Sequence, residues 1–264
     1  MSEAFGSWHL ESLIAVGGLG EVWRARRGVT SAALKRLHTH LVRNDEARAL
    51  FAQEQQLSLA LPRHPGVVHA LDVGHVEGRP YVALEIAAGE DLRRMIAPPA
   101  SPRNVTPATA VLPRVRAVAI VRAACAAAAH LHKFGWVHGD ICPSNLIVDD
   151  NDHVVLIDLG VARRAGQGGT VRGTHAYMAP EQVRGEAWTP ATDVFALGVI
   201  LWELLADKRL FHRGPPWLSM AAVVEDPVPP LADRALDAIA RAALAKDPAQ
   251  RIATPTALAD RLAL

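Results

Sequence analysis

WVHGDICPSNLIVDDNDHVVLIDLG, residues 136–160, is the stretch whose reading decides the fold. Two apolar runs, Leu146 to Val148 and Val154 to Ile157, flank a polar turn rich in aspartate, a pattern that predicts a β-hairpin. Pairing of the two runs brings the hairpin's ends together, so Asn145 and Asp158 are expected to converge with their oxygens near Asp140. Oxygen ligands at one end of a hairpin suit a hard cation such as magnesium, which keeps several waters and bridges substrate phosphates. The plainer alternative is a turn whose carboxylates only cap the backbone.

Upstream, residues 9–37 read as short apolar runs broken by glycine, as antiparallel strands joined by tight turns do. Between two of these strands lies AVGGLGEVW, residues 15–23, where Gly17, Gly18 and Gly20 let the backbone approach phosphate oxygens without a Cβ in the way. A plain Gly-rich β-turn has the same sequence. Lys35 sits in the third strand, at alternate spacing to Ala33, and is one of only four lysines among 28 basic residues. Residues 44–61 then carry Ala47, Leu50, Phe51, Leu57 and Leu61 on one helical face. Glu54 falls in the same stripe. A carboxylate on a buried face is costly without a partner, so the pattern asks for a cation opposite, and Lys35 is the candidate.

Residues 70–86 read as a second hairpin with its turn near Glu77 and Gly78. From about Asp91 the pattern is mostly helical, interrupted by a Pro-rich stretch, 98–113, expected to be a surface loop. The composition therefore shifts from a sheet-rich N-terminal part to a helical C-terminal part, with a natural hinge between Glu85 and Gly89.

Composition sets outer limits. A chain of 264 residues, half of them apolar, can bury a sizeable core, and a net charge of +1 with no block of like charges argues against nucleic-acid or anionic-membrane partners. Its two cysteines, Cys125 and Cys142, make a disulfide framework improbable and favour a reducing cytoplasm. The most apolar run, Val194 to Ala206, contains Glu203 and falls short of the roughly 20 residues of a membrane span. No signal-peptide pattern opens the chain, which implies a protein neither targeted nor anchored.

Taken together these motifs resemble the eukaryotic-like (Hanks-type) bacterial Ser/Thr protein kinase domain over about residues 9–260. The resemblance implies one α+β domain over 1–264, bilobal. A small antiparallel-sheet N-lobe with one helix would span about 1–86, and a larger, mainly helical C-lobe about 90–264. It implies ATP bound between the lobes, Mg2+ as cofactor, and transfer of the γ-phosphate to Ser or Thr hydroxyls of a protein substrate. In that pattern the 15–23 loop covers the phosphates, Lys35 grips the α and β phosphates, and Glu54 holds Lys35. Asp140 accepts or orients the substrate hydroxyl proton, and Asn145 and Asp158 hold magnesium. The nucleotide-facing set is Ala15, Gly17, Gly18, Gly20, Val22, Ala33, Lys35, Leu84 as gatekeeper, Glu85 and Ala87 at the hinge backbone, Asp91 near the ribose, and Ile147 below the adenine. GTHAYMAPE, 173–181, resembles the end of the activation segment, Thr174 its Ser/Thr-selective residue, and DVFALG, 193–198, the buried helix behind the catalytic loop. Arg251 matches the arginine that pairs with Glu181.

Four positions depart from that family pattern. Ala15 replaces the first loop glycine, and DLG at 158–160 replaces DFG, both small changes. Gly139 stands where arginine is usual, which removes the receiver of a phosphorylated activation loop, although Thr170 is a candidate for phosphorylation. Cys142 stands where a lysine reaches the transferring phosphate, and one lost charge-stabilising group costs on the order of 10² to 10³ in rate. A thiol that fills space is the expected role for Cys142, with a redox-sensitive thiol as the alternative. Three functions are therefore in play: a competent Ser/Thr kinase, an ATP-binding pseudokinase acting as scaffold or allosteric partner, and a small-molecule kinase sharing the HGD-like loop. Thr174, Arg251 and the APE-like segment favour the protein-directed branch. With no further domain expected after the last helix, any regulator is a separate molecule.

Overall fold

The computed structural model describes residues 3–96, 112–169 and 171–263. Most of the Pro-rich stretch, and Thr170, lie outside the described residues. Contacts group the chain into two compact units, Met1–Ala87 with Asp158–Gly160, and Ala88–Ile157 with Val161–Leu264.

The first unit is an antiparallel sheet with one long helix. Its strands are β1 (Glu3–Phe5), β2 (Trp8–Val16), β3 (Gly20–Arg27), β4 (Thr30–Leu37), β5 (Ala70–Val76) and β6 (Arg79–Leu84), in the order β1-β2-β3-β4-β6-β5. Strand alternation gives the sheet two distinct faces. On one, Phe5, Trp8, Leu10, Ala25, Ala32, Leu34, Tyr81 and Ala83 form a buried cluster. On the other, register places Ala15 opposite Val22, Val22 opposite Lys35 and Ala33 opposite Leu84. Those five side chains therefore share a face. The β5–β6 turn has positive φ at both Glu77 (51°) and Gly78 (76°), as a two-residue hairpin that matches strand twist requires.

Helix α1 (Asp45–Ala60) starts where Asn44 accepts the Ala47 N–H at 2.8 Å, with Asp45 and Glu46 in its first turn. Ala47, Phe51, Glu54 and Leu57 are buried as the stripe predicts, and so are Gln55 and Ser58. Strand β1 was not legible. Three residues with one buried side chain carry no alternation, and β1 is held instead by Phe5 and by Glu3, which pairs with Arg36 at 2.6 Å.

In the second unit β7 (Glu90–Asp91) pairs with β9 (Leu146–Val148), which pairs with β10 (Val154–Leu156), so the hairpin expected at 146–157 forms. A short helix α2 (Leu92–Ile96) follows β7, and β8 (Trp136–Val137) pairs with β11 (Arg163–Arg164). The helices are α3 (Arg114–Lys133), α4 (Pro180–Val183), α5 (Pro190–Ala206), α6 (Pro216–Glu225), α7 (Arg234–Ala243) and α8 (Pro255–Arg261). Helix α5 is buried on all sides from Ala191 to Leu204, the environment of an all-round apolar helix. Helix α3 is long and apolar enough to cross a membrane by composition; here Ile120, Val121 and Ala124 are buried, and it packs on α5, α8 and β10. Arg251 donates to both oxygens of Glu181, at 2.7 and 2.9 Å, with both side chains inaccessible.

Candidate active site

Glu54 meets its cation on the sheet. Lys35 Nζ donates to Glu54 Oε1 and Oε2 at 2.7 and 2.9 Å and to Asp158 Oδ1 at 2.7 Å. Burial opposes the charge on Lys35, yet the carboxylates of Asp158 and Glu54 outweigh it and hold the ammonium above its ordinary value. Burial pushes the Glu54 carboxyl up, against the pull of Lys35. Asp158 adopts a positive φ of 62°, a conformation that costs a non-glycine residue roughly 1 kcal/mol or more; its Oδ1 accepts the Gly160 N–H at 3.1 Å. Helix α1 is also tied to the sheet by Gln55, whose Nε2 donates to the carbonyls of Tyr81 (2.8 Å) and Gly74 (3.2 Å).

The loop between β2 and β3 is closed by Gly17 N–H donating to Gly20 O at 2.8 Å. A side chain at Gly20 would collide with the Arg36 carbonyl, whereas at Gly18 a Cβ would meet nothing within 4 Å. Packing within the protein thus explains Gly20, while Gly18 faces open space. His38, absent from the sequence reading, hydrogen-bonds the Gly17 carbonyl through Nε2 at 2.8 Å, and its N–H donates to Leu19 O. At the end of β6, Glu85 N–H donates to His69 O at 2.9 Å, and the Glu85 carboxylate pairs with Arg63; Ala87 is half-buried.

In the second unit Asp140 and Asn145 are neighbours. Asn145 Nδ2 donates to the Asp140 carbonyl at 2.9 Å and to Oδ2 at 3.2 Å, so its amide nitrogen faces Asp140 and its amide oxygen does not. Asp140 Oδ1 accepts the Thr174 N–H at 2.7 Å. The loop itself hangs on Asp193 at the start of α5, which accepts from His138 N–H (2.9 Å), Gly139 N–H (2.8 Å) and His132 Nε2 (2.7 Å). Burial would raise the Asp193 carboxyl, but these bonds, led by His132, hold it below its ordinary value. Asp91 and Ile147 are paired residues of β7 and β9, and both are half-buried.

The two unusual loop residues have local explanations. Gly139 has φ 73°, and a Cβ there would collide with the indole of Trp188, over which Arg163 stacks at 4.5 Å. Gln182 Nε2 donates to the Gly139 carbonyl at 2.8 Å, closing the space further. Cys142 is 2% exposed and its thiol accepts from Thr174 Oγ1 at 3.4 Å. Burial, aided by Asp140, pushes that thiol up to about 12, which is the opposite of a redox-sensitive cysteine.

Residues 8–262 match the protein kinase domain family. The chain belongs to that family. This kinase domain is similar to the serine/threonine-protein kinase PknB of Mycolicibacterium smegmatis, 33% identical over 94% of the chain and 41% of that protein. PknB of Mycobacterium tuberculosis (strain H37Rv) is 32% identical over the same shares. The tyrosine-protein kinase MasK of Myxococcus xanthus is 31% identical over 98% of the chain and 43% of MasK. The kinase domain thus spans about two fifths of the length of the curated relatives it matches. Its α+β architecture, a curled antiparallel sheet and a helical part, is that of the family.

What the sequence reading missed shares one trait. His38, Gln55, Gln182 and Trp188 act through contacts with main-chain carbonyls or with space left by a missing side chain. Residue type alone signals none of these; only Gln55 left a trace, as a polar residue beside the apolar stripe of α1.

Proposed function

We propose that this domain is an ATP- and magnesium-dependent protein serine/threonine kinase. The observation that carries the reading is the ammonium of Lys35 shared between Glu54 and Asp158, because a cation fixed by two carboxylates is preorganised to meet phosphate charge. ATP supplies the phosphoryl group, and magnesium when bound neutralises phosphate charge. Of the residues expected to hold such an ion, Asp158 carries a carboxylate, and Asn145 has an amide oxygen turned away from Asp140. Among the described residues no group of three or more His, Cys, Asp or Glu suits a metal, and a magnesium ion that keeps its waters and phosphate ligands requires none.

Asp140 takes the proton of the substrate hydroxyl as its oxygen bonds to the γ-phosphorus, and the bond to the β-phosphate oxygen breaks to leave ADP. Lys35 orients the α and β phosphates. Val22, Ala33 and Leu84, on the same sheet face as Lys35, supply apolar surface for the base. Thr174 beside Asp140, and the similarity to PknB, favour serine or threonine over tyrosine. Two free, buried cysteines fit a reducing cytoplasm.

A second reading, an ATP-binding pseudokinase, draws on one observation: both Asp140 oxygens already accept hydrogen bonds, from Thr174 and Asn145. Magnesium-dependent transfer of labelled γ-phosphate from ATP to the domain and to a generic basic protein separates the two, with Asp140→Asn as control. Transfer that disappears in the control supports the kinase; saturable ATP binding with no transfer supports the pseudokinase.

A further inference from the structure

Thr174 is held at two atoms by one loop. Its N–H donates to Asp140 Oδ1 at 2.7 Å, and its hydroxyl donates to the sulfur of Cys142 at 3.4 Å, within reach of a sulfur acceptor. Asp140 and Cys142 are two residues apart, on the segment that leads into the 3-10 turn Pro143–Asn145. Gly173 has φ 118°, and a Cβ there would lie 3.1 Å from Asp140 Oδ1. The 173–174 segment therefore approaches the carboxylate closely and leaves its main-chain N–H as the donor. Burial keeps the Cys142 sulfur protonated, so it meets the Thr174 hydroxyl as a neutral acceptor rather than as an anion.

We propose that Cys142 is a positioning residue: its sulfur holds the Thr174 hydroxyl, which keeps the Thr174 N–H on Asp140 and fixes the carboxylate toward the substrate hydroxyl. This rests on the reading of Asp140 as the group that takes the proton. It replaces the view of Cys142 as filler. A thiol here adds no positive charge to the reaction; what it adds is a tether between two segments that together set one carboxylate.

The test compares wild type with Cys142→Ala, Cys142→Ser, Thr174→Val and the Cys142→Ala/Thr174→Val double variant, by single-turnover phosphoryl transfer and by hydrogen exchange at the Thr174 amide. Losing one hydrogen bond of this kind predicts about 3- to 10-fold slower transfer for Cys142→Ala and for Thr174→Val, with KM for ATP unchanged. Cys142→Ser, which keeps an acceptor, rescues the rate. The double variant is no slower than the slower single variant, because both remove the same contact. Protection of the Thr174 amide falls in Cys142→Ala and Thr174→Val and is retained in Cys142→Ser. Additive losses, or wild-type protection of that amide in Cys142→Ala, overturn the proposal. Should wild type transfer no phosphate, the kinase reading falls, and amide exchange, which needs no turnover, still decides the tether.

Discussion

The lysine site of the first unit and the aspartate loop of the second both hold a charged group still, by different means. Lys35 is fixed by charge, with two carboxylates within 2.9 Å of one buried ammonium. Asp140 is fixed by hydrogen bonds to neutral donors, Asn145 Nδ2 and the Thr174 N–H. At the first site Lys35, Glu54 and Asp158 all match the family pattern; at the second, Gly139 and Cys142 depart from it. The difference teaches that the departures are accommodated where the frame is made of packing and neutral hydrogen bonds. An ion-paired frame has no such latitude, because removing one charge leaves its partner buried and unpaired.

Breaking the charged frame gives the largest effect. Lys35→Met removes the cation that Glu54 and Asp158 share, and phosphoryl transfer is expected to fall by at least about 10²-fold. Urea denaturation is expected to show a loss of about 3 kcal/mol from the stranded Glu54 carboxylate, which is buried. A variant with near wild-type turnover would remove Lys35 from the reaction altogether.

The second frame is tested by restoring the family residue. Gly139→Arg places a side chain on a backbone at φ 73° and drives its Cβ into Trp188. The expected result is destabilisation by about 2–4 kcal/mol, from backbone strain and overpacking. Trp188→Ala alone is expected to cost about 3–5 kcal/mol, because the indole is buried; in that background Gly139→Arg should cost less than in wild type, by the packing part, leaving the strain. If Gly139→Arg alone is as stable as wild type, Trp188 does not occupy the position in solution and the account of Gly139 fails.

The parts of this arrangement that could be read in the sequence are the periodic ones. Glu54 stood out because a carboxylate in an apolar stripe requires a partner, and the 146–157 hairpin because two apolar runs flank a polar turn. The Glu77–Gly78 turn was marked by its residue types. What could not be read depends on where main-chain groups end up after folding. Trp188 lies 49 residues from Gly139 in sequence, and only the folded chain shows that it fills the space an arginine would need. The segment Asp158–Gly160 clusters with the first unit although its neighbours on both sides belong to the second, an assignment set by contacts such as Lys35 to Asp158 and not by local pattern. Asn145 was placed beside Asp140 by the hairpin, but which end of its amide faces the carboxylate is decided by hydrogen bonding.

Acid gives the smallest effect, and an Asp193 variant isolates the loop's share of it. Asp193 carries the loop through the His138 and Gly139 amides and His132, and its carboxyl is held below its ordinary value of 3.8. A depressed carboxyl contributes stability that is fully present above the unfolded value and is lost as pH falls through the folded one. Lys35 itself stays charged throughout acid, but the carboxylates that hold it titrate there, Glu54 from a value that burial has raised, so its ion pairs weaken as well. Lowering pH from 7 to 3 should therefore weaken the aspartate loop while the Lys35 ammonium stays charged. The check is the urea midpoint as a function of pH in wild type and in Asp193→Asn. Wild type should lose stability below about pH 4, as carboxylates in general do. The variant, less stable at pH 7, should lose less over the same interval, because its amide has no proton to gain. Parallel curves for the two proteins would mean that other carboxylates carry the whole acid response and that Asp193 holds the loop no more tightly when ionised than when neutral.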